Sequence, residues 1–112
     1  MKTRTVYRLE YADGKGPYID VDGLGVSKSA LEMLEELSEA HSNDMAFHPP
    51  IYLDIDSNVD KGMLCACPTE KALKRWFGVY FEPLLKIGFR VAVYETRDYI
   101  MGNSRRQLMF RP

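Results

Sequence analysis

Four groups of residues in this 112-residue chain have types and spacings that could do chemistry. Asp54, Asp56, Asn58 and Asp60 place oxygen-bearing side chains at the first, third, fifth and seventh positions of a calcium loop. Val59, however, stands where the sharp turn needs glycine and Cys65 where the bidentate glutamate belongs, so the segment reads as a solvated acidic turn. Cys65 and Cys67, with His41 and His48, would supply four zinc-ligand types. The single residue between the cysteines is too few for a zinc knuckle, and they read as free thiols in a reducing compartment. No metal is therefore expected. Asp13-Gly14-Lys15-Gly16-Pro17-Tyr18 is glycine-rich but has neither a phosphate-loop nor a dinucleotide pattern, and reads as a turn. The fourth group, Arg97, Arg105, Arg106 and Arg111 with Tyr94, Tyr99 and Phe110 interleaved, is a basic surface of the kind that meets anions.

The formal net charge is −1, which excludes a generic polybasic or polyacidic partner. Divided at residue 70 it becomes −7 (6 basic, 13 acidic) and +6 (9 basic, 3 acidic). That asymmetry is a cue for an anionic ligand near the C-terminal half, or for self-association through opposite charges. No apolar run approaches the ~20 residues of a membrane span, and the first residues do not pattern as a signal peptide, so a cytoplasmic location is expected.

These groups must be positioned by a single α+β domain over residues 1–112, with a mostly antiparallel sheet of five to six strands and two to three helices. Thr5 to Tyr11 alternates as a half-buried strand, and 13–28 is turn-rich. Ser29-Ala30-Leu31-Glu32 matches a capping box ahead of a helix over about 30–40. Short strands are expected at Ile51 to Ile55 and Met63 to Ala66. Thr69 caps a second helix carrying Trp76 and Phe77, which Gly78 breaks and a shorter one ending at Gly88 follows. Strands at Phe89 to Thr96 and Arg106 to Arg111, joined through Tyr99-Ile100-Met101 and a Gly102-Asn103 turn, close the chain.

The first strand with Tyr7-Arg8, the junction Cys67-Pro68-Thr69-Glu70, and the late strand Arg106-Gln107-Leu108-Met109-Phe110 together resemble a small, degenerate member of the ADP-ribosyltransferase superfamily. Gly-Pro-Tyr after the first strand and Trp-Phe in the second helix also resemble phage proteins. The resemblance implies NAD as cofactor, with Arg8 on its ribose or phosphate, Thr69 supporting the second motif, and Tyr52 or Tyr94 stacking on nicotinamide. Gln107 would stand in the place of the catalytic glutamate, with Glu95 as the nearest acid that could substitute. A neutral amide does not stabilise an oxocarbenium-like transition state by charge, but it can orient the ribose. Read without the resemblance, Arg8 pairs with Glu10 or another strand neighbour, Thr69 is a helix cap and Gln107 is an exposed strand residue. Two other expectations remain open: a non-catalytic protein that inhibits a host or defence factor through its charged faces, and a nucleic-acid binder using the basic C-terminal half.

Overall fold

β1 (Arg4–Glu10) and β3 (Arg90–Thr96) pair antiparallel, with Val6 opposite Tyr94, Arg8 opposite Ala92 and Glu10 opposite Arg90. Because side chains alternate across a strand, Tyr7, Leu9 and Tyr11 lie on one face with Val91, while Val6, Arg8 and Glu10 lie on the other with Tyr94. The computed structural model describes residues 3–12, 14, 16–17, 28–44, 46–49, 54–55 and 62–112. Within it β1 is covered on both faces, not half-buried as its alternation suggested. Leu9 packs among helical residues and Val6 among residues of a second sheet, while Arg8 and Glu10 are also buried.

The helical layer follows from spacing. α1 (Lys28–Ser42) buries Ala30, Leu34, Leu37 and His41 and turns Glu32, Glu35, Glu36 and Glu39 outward. It starts one residue ahead of Ser29, so Ser29 lies in the first turn and does not cap it. α2 (Glu70–Phe77) begins as expected, with Thr69 Oγ1 accepting the Ala72 amide at 3.0 Å. It buries Leu73, Trp76 and Phe77. A 3-10 turn (Gly78–Tyr80) leads into α3 (Phe81–Lys86). Gly88 sits at φ +115°, where a Cβ would also lie 2.9 Å from the Tyr11 ring, so glycine is required both for backbone and for space.

β2 (Leu64–Ala66), β4 (Tyr99–Met101) and β5 (Leu108–Phe110) form a second antiparallel sheet in the order β2-β5-β4. Tyr7 and Cys67 exchange both backbone hydrogen bonds, at 2.9 and 2.7 Å, and so tie β1 to the end of β2. β3 runs through Arg97 and Asp98 into β4, where Thr96 Oγ1 donates to the Arg111 carbonyl at 2.9 Å. β1 pairs with β3, the chain carries β3 into β4, β4 pairs with β5 and β5 with β2, and the Tyr7–Cys67 bridge returns to β1, so the two sheets curl together. Val6, Ala66, Leu108 and Phe110 fill the inside of this curl. The radius of gyration, 13.7 Å, is close to the ~13 Å of a compact domain of about 100 residues. The α+β expectation holds, with five strands among the described residues. Of the strand expected at 51–55, only Asp54 and Ile55 are among the described residues, and neither is in a strand.

Candidate functional site

Arg8 is inside the curl. Its Nη1 donates to the Cys65 carbonyl at 3.3 Å and its Nη2 to the Gly14 carbonyl at 3.4 Å. Its Nε lies 3.1 Å from Glu10 Oε2, an ion pair in which the N–H is not aimed at the oxygen. The same oxygen accepts from the Tyr94 hydroxyl, and this hydrogen bond, reinforced by burial and the charge of Glu10, raises the Tyr94 pKa. Arg8, Glu10 and Tyr94 thus form one internal network, with Tyr94 also packed on Phe110 at 5.2 Å between ring centres. The hollow beside Arg8, lined by Gly16, Pro17, Leu73 and Phe77 among others, measures about 60 Å³. Small-molecule pockets start near ~300 Å³. Cys67 lines it too, and burial, then the neighbouring Cys65, pushes its thiol well up from the usual range, away from nucleophilic thiolate chemistry.

Gln107 belongs to a different network and is buried, not exposed as a strand residue would be. Its Nε2 donates to the Pro49 carbonyl at 2.6 Å and to Asp54 Oδ2 at 3.0 Å. Asp54 is buried as well, and its carboxylate accepts further bonds from the Ser104 amide (2.7 Å) and the Ser104 hydroxyl (2.8 Å). Its carbonyl accepts the Asn103 amide at 2.7 Å, and Gly102 donates to the Gln107 carbonyl at 2.9 Å. A Cβ at Gly102 would collide with the Asp54 carboxylate. An anion held by three donors is a satisfied structural centre that fixes the β4–β5 turn. Asp54 was the first residue of the acidic calcium-like pattern; its partners at 56, 58 and 60 lie outside the described residues. Tyr52 does too. Glu95 is exposed, opposite Thr5 and on the other strand face from Tyr94, and Thr69 serves as the α2 cap. The structure thus brings Arg8 and Tyr94 together and places Gln107, Glu95 and Thr69 elsewhere. His41 and His48 stack on each other, 3.7 Å between ring centres, while Cys65 and Cys67 flank Ala66 in β2. Among the described residues no three potential metal ligands gather.

The turn that Asp54 holds carries a feature the sequence signalled only in part. Arg105 has φ +62°, a left-handed conformation uncommon for a non-glycine residue, closed by its amide on the Gly102 carbonyl at 2.9 Å. Its side chain forms a wall shared by two hollows. One, about 350 Å³, is lined by Arg4, Tyr99 and Asn103 among others. The other, about 160 Å³, is lined by Phe47, Arg75, Trp76 and Arg106. Each pairs guanidinium groups with aromatic rings: Arg4 lies 5.6 Å from the centre of the Tyr99 ring and Arg106 lies 4.3 Å from that of Phe47. Arg106 is anchored by Nη1 donating to the Ala46 carbonyl (2.9 Å) and the Phe47 carbonyl (3.3 Å). His48 fastens the same segment to α2, its Nε2 donating to the Trp76 carbonyl at 2.6 Å. Neither lining includes a carboxylate among the described residues.

The basic cluster read from the sequence splits accordingly. Arg105, Arg106 and Tyr99 join this face, Arg111 pairs with Asp98 at 2.7 Å, and Tyr94 and Phe110 are interior. Arg4, Arg75, Phe47 and Trp76 were missed because they come from three other parts of the chain. Only Arg75 and Trp76, adjacent on α2, carried a local hint.

Together these features define a small α+β domain with a curled antiparallel core and an arginine- and aromatic-lined face whose two hollows have no carboxylate among the described residues. The chain belongs to the Bacteriophage T4 Y00F protein family, whose family model matches residues 1–112. That bears out the resemblance to phage proteins; nothing in the match or the fold points to an ADP-ribosyltransferase. No curated protein and no solved structure matches the chain. No helix among the described residues is long and apolar enough to cross a membrane.

Proposed function

We propose that this phage protein is a binding protein for a phosphate-bearing ligand, taken up on the arginine face in the cytoplasm of the infected cell. The observation that carries the reading is Arg105, held in a left-handed turn between two hollows to which Arg4, Arg75 and Arg106 add further guanidiniums and no described residue adds a carboxylate. Guanidinium recognises phosphate through paired N–H donors, and neighbouring rings add a stacking surface for a base. NAD and ADP-ribose, the ligands of the family the sequence resembles, carry a pyrophosphate and fall within this class. Their reception here would not use Arg8, whose guanidinium is turned to internal partners. Capture of a host or defence protein has less to favour it: the large apolar side chains most exposed among the described residues, Val79, Val93 and Tyr99, are few and sit on three separate elements.

Trp76 is the chain's single tryptophan and lines the smaller hollow, so its emission reports occupancy directly. Titration with pyrophosphate, ADP-ribose and NAD at low salt should change that emission and raise the melting temperature. The Arg75→Ala/Arg105→Ala double variant should weaken the response about tenfold or more, as expected for two lost charge-assisted contacts. A flat titration with all three ligands in the wild type would refute the reading.

A further inference from the structure

Resting on the reading above, we infer that the phosphate-bearing ligand is a single-stranded nucleic acid, with successive nucleotides occupying the two hollows and the intervening phosphate on Arg105. Both hollows are open to solvent and share one side-chain wall. A site built for one small molecule encloses most of it, whereas a strand is held by repeated shallow contacts along its backbone. Each hollow repeats the same pair of elements, a guanidinium for the backbone and a ring for a base: Arg4 with Tyr99 on one side of Arg105, Arg75 and Arg106 with Phe47 on the other. Tyr99 is on β4 and is among the most exposed large apolar side chains, a position from which its ring can meet a base. A duplex would offer phosphates to the arginines but would keep its base faces stacked on one another and away from the rings. The preference therefore falls on unpaired strands, with little dependence on sequence because every base has a π-face.

The test is fluorescence anisotropy with a labelled 12-nucleotide oligothymidylate, beside a duplex of the same length. Four arginines engaging four phosphates give a log K against log salt slope of about −2.8, a loss of about 50-fold in affinity between 50 and 200 mM salt. Arg105→Ala should make that slope shallower by about 0.7. Tyr99→Leu should weaken single-strand binding about tenfold with the slope unchanged, and Tyr99→Phe, which keeps the ring, should restore it. Melting curves of the exposed-site variants confirm that they fold. Equal affinity for duplex and single strand, or a Tyr99→Leu variant that binds as well as the wild type, would overturn the inference. Pyrophosphate changing Trp76 emission while the oligonucleotide gives no anisotropy change would overturn it too and leave the phosphate-binding reading standing. Silence from both ligands would overturn both.

Discussion

Gln107→Glu separates a structural amide from a vestigial catalytic position, because it writes into the chain the residue that an ADP-ribosyltransferase has there. The wild-type amide donates to the Pro49 carbonyl and to Asp54 Oδ2, 3.0 Å away, from a buried position. An ionised carboxylate at this site donates nothing and faces another carboxylate. At 3.0 Å and an effective dielectric constant of 20 the repulsion is about 5.5 kcal/mol. Protonation gives a lower-cost escape: holding a carboxyl of ordinary pKa 4.3 neutral at pH 7 costs about 3.7 kcal/mol, which caps the electrostatic term. The protonated group still donates one hydrogen bond, so one of the two is lost, adding about 1 kcal/mol. The variant should be less stable than wild type by about 4–5 kcal/mol at pH 7, a large part of a typical 5–15 kcal/mol total. The folded-state pKa of the introduced carboxyl is raised, so its penalty is fully present above that pKa and vanishes below the unfolded value. The difference from wild type should shrink to about 1 kcal/mol near pH 4. Urea unfolding followed by circular dichroism at both pH values measures this. A variant as stable as wild type at pH 7 would refute the assignment of Gln107 to the Asp54 network, and a gain of nicotinamide release from NAD would restore the transferase reading.

Two further outcomes are expected. Thr69→Ala should cost about 1 kcal/mol in urea unfolding, since it frees the Ala72 amide at the start of α2. Burial, then the stacked His48 ring, lowers the His41 pKa to about 4, with Asp44 opposing. The unfolded chain therefore binds more protons between pH 6.5 and 4, and stability should fall by about 1–3 kcal/mol across that window, a slope that His41→Phe should flatten.

The fold was legible where periodicity and local capping decide structure. Ala30, Leu34 and Leu37 at helical spacing, Thr69 ahead of α2, and Gly78 and Gly88 as breaks all act within a few residues of themselves. The strand faces were legible as alternation, but not their burial. Arg8 and Glu10 looked like a solvent face, yet a buried ion pair with Tyr94 behind it lets β1 be covered on both sides. Of the readings made from the residues alone, the pairing of Arg8 with Glu10 and the cap at Thr69 match the structure, while the exposed position for Gln107 does not. The candidate site was the least legible part. Its rings and guanidiniums come from β1, the segment after α1, α2 and the β4–β5 turn, and no spacing rule links positions 4, 47, 75 and 105.

The Asp54 network and the arginine face are two sides of one turn, and their charges explain each other. Ser104, at the tip of the turn, gives both its amide and its hydroxyl to the Asp54 carboxylate, which fixes the backbone on either side. The adjacent residues, Arg105 in its left-handed conformation and Arg106 bonded to Ser104 Oγ through its amide at 3.2 Å, are then aimed at the hollows. The Asp54 carboxylate is buried and already engaged by donors of the turn itself and by Gln107, so it fixes the backbone that carries these arginines. The division of the sequence into an acidic and a basic half is thus answered locally. Four outward-facing glutamates belong to α1, Asp54 is turned inward, and the two hollows on either side of Arg105 are lined by arginines with no carboxylate among the described residues.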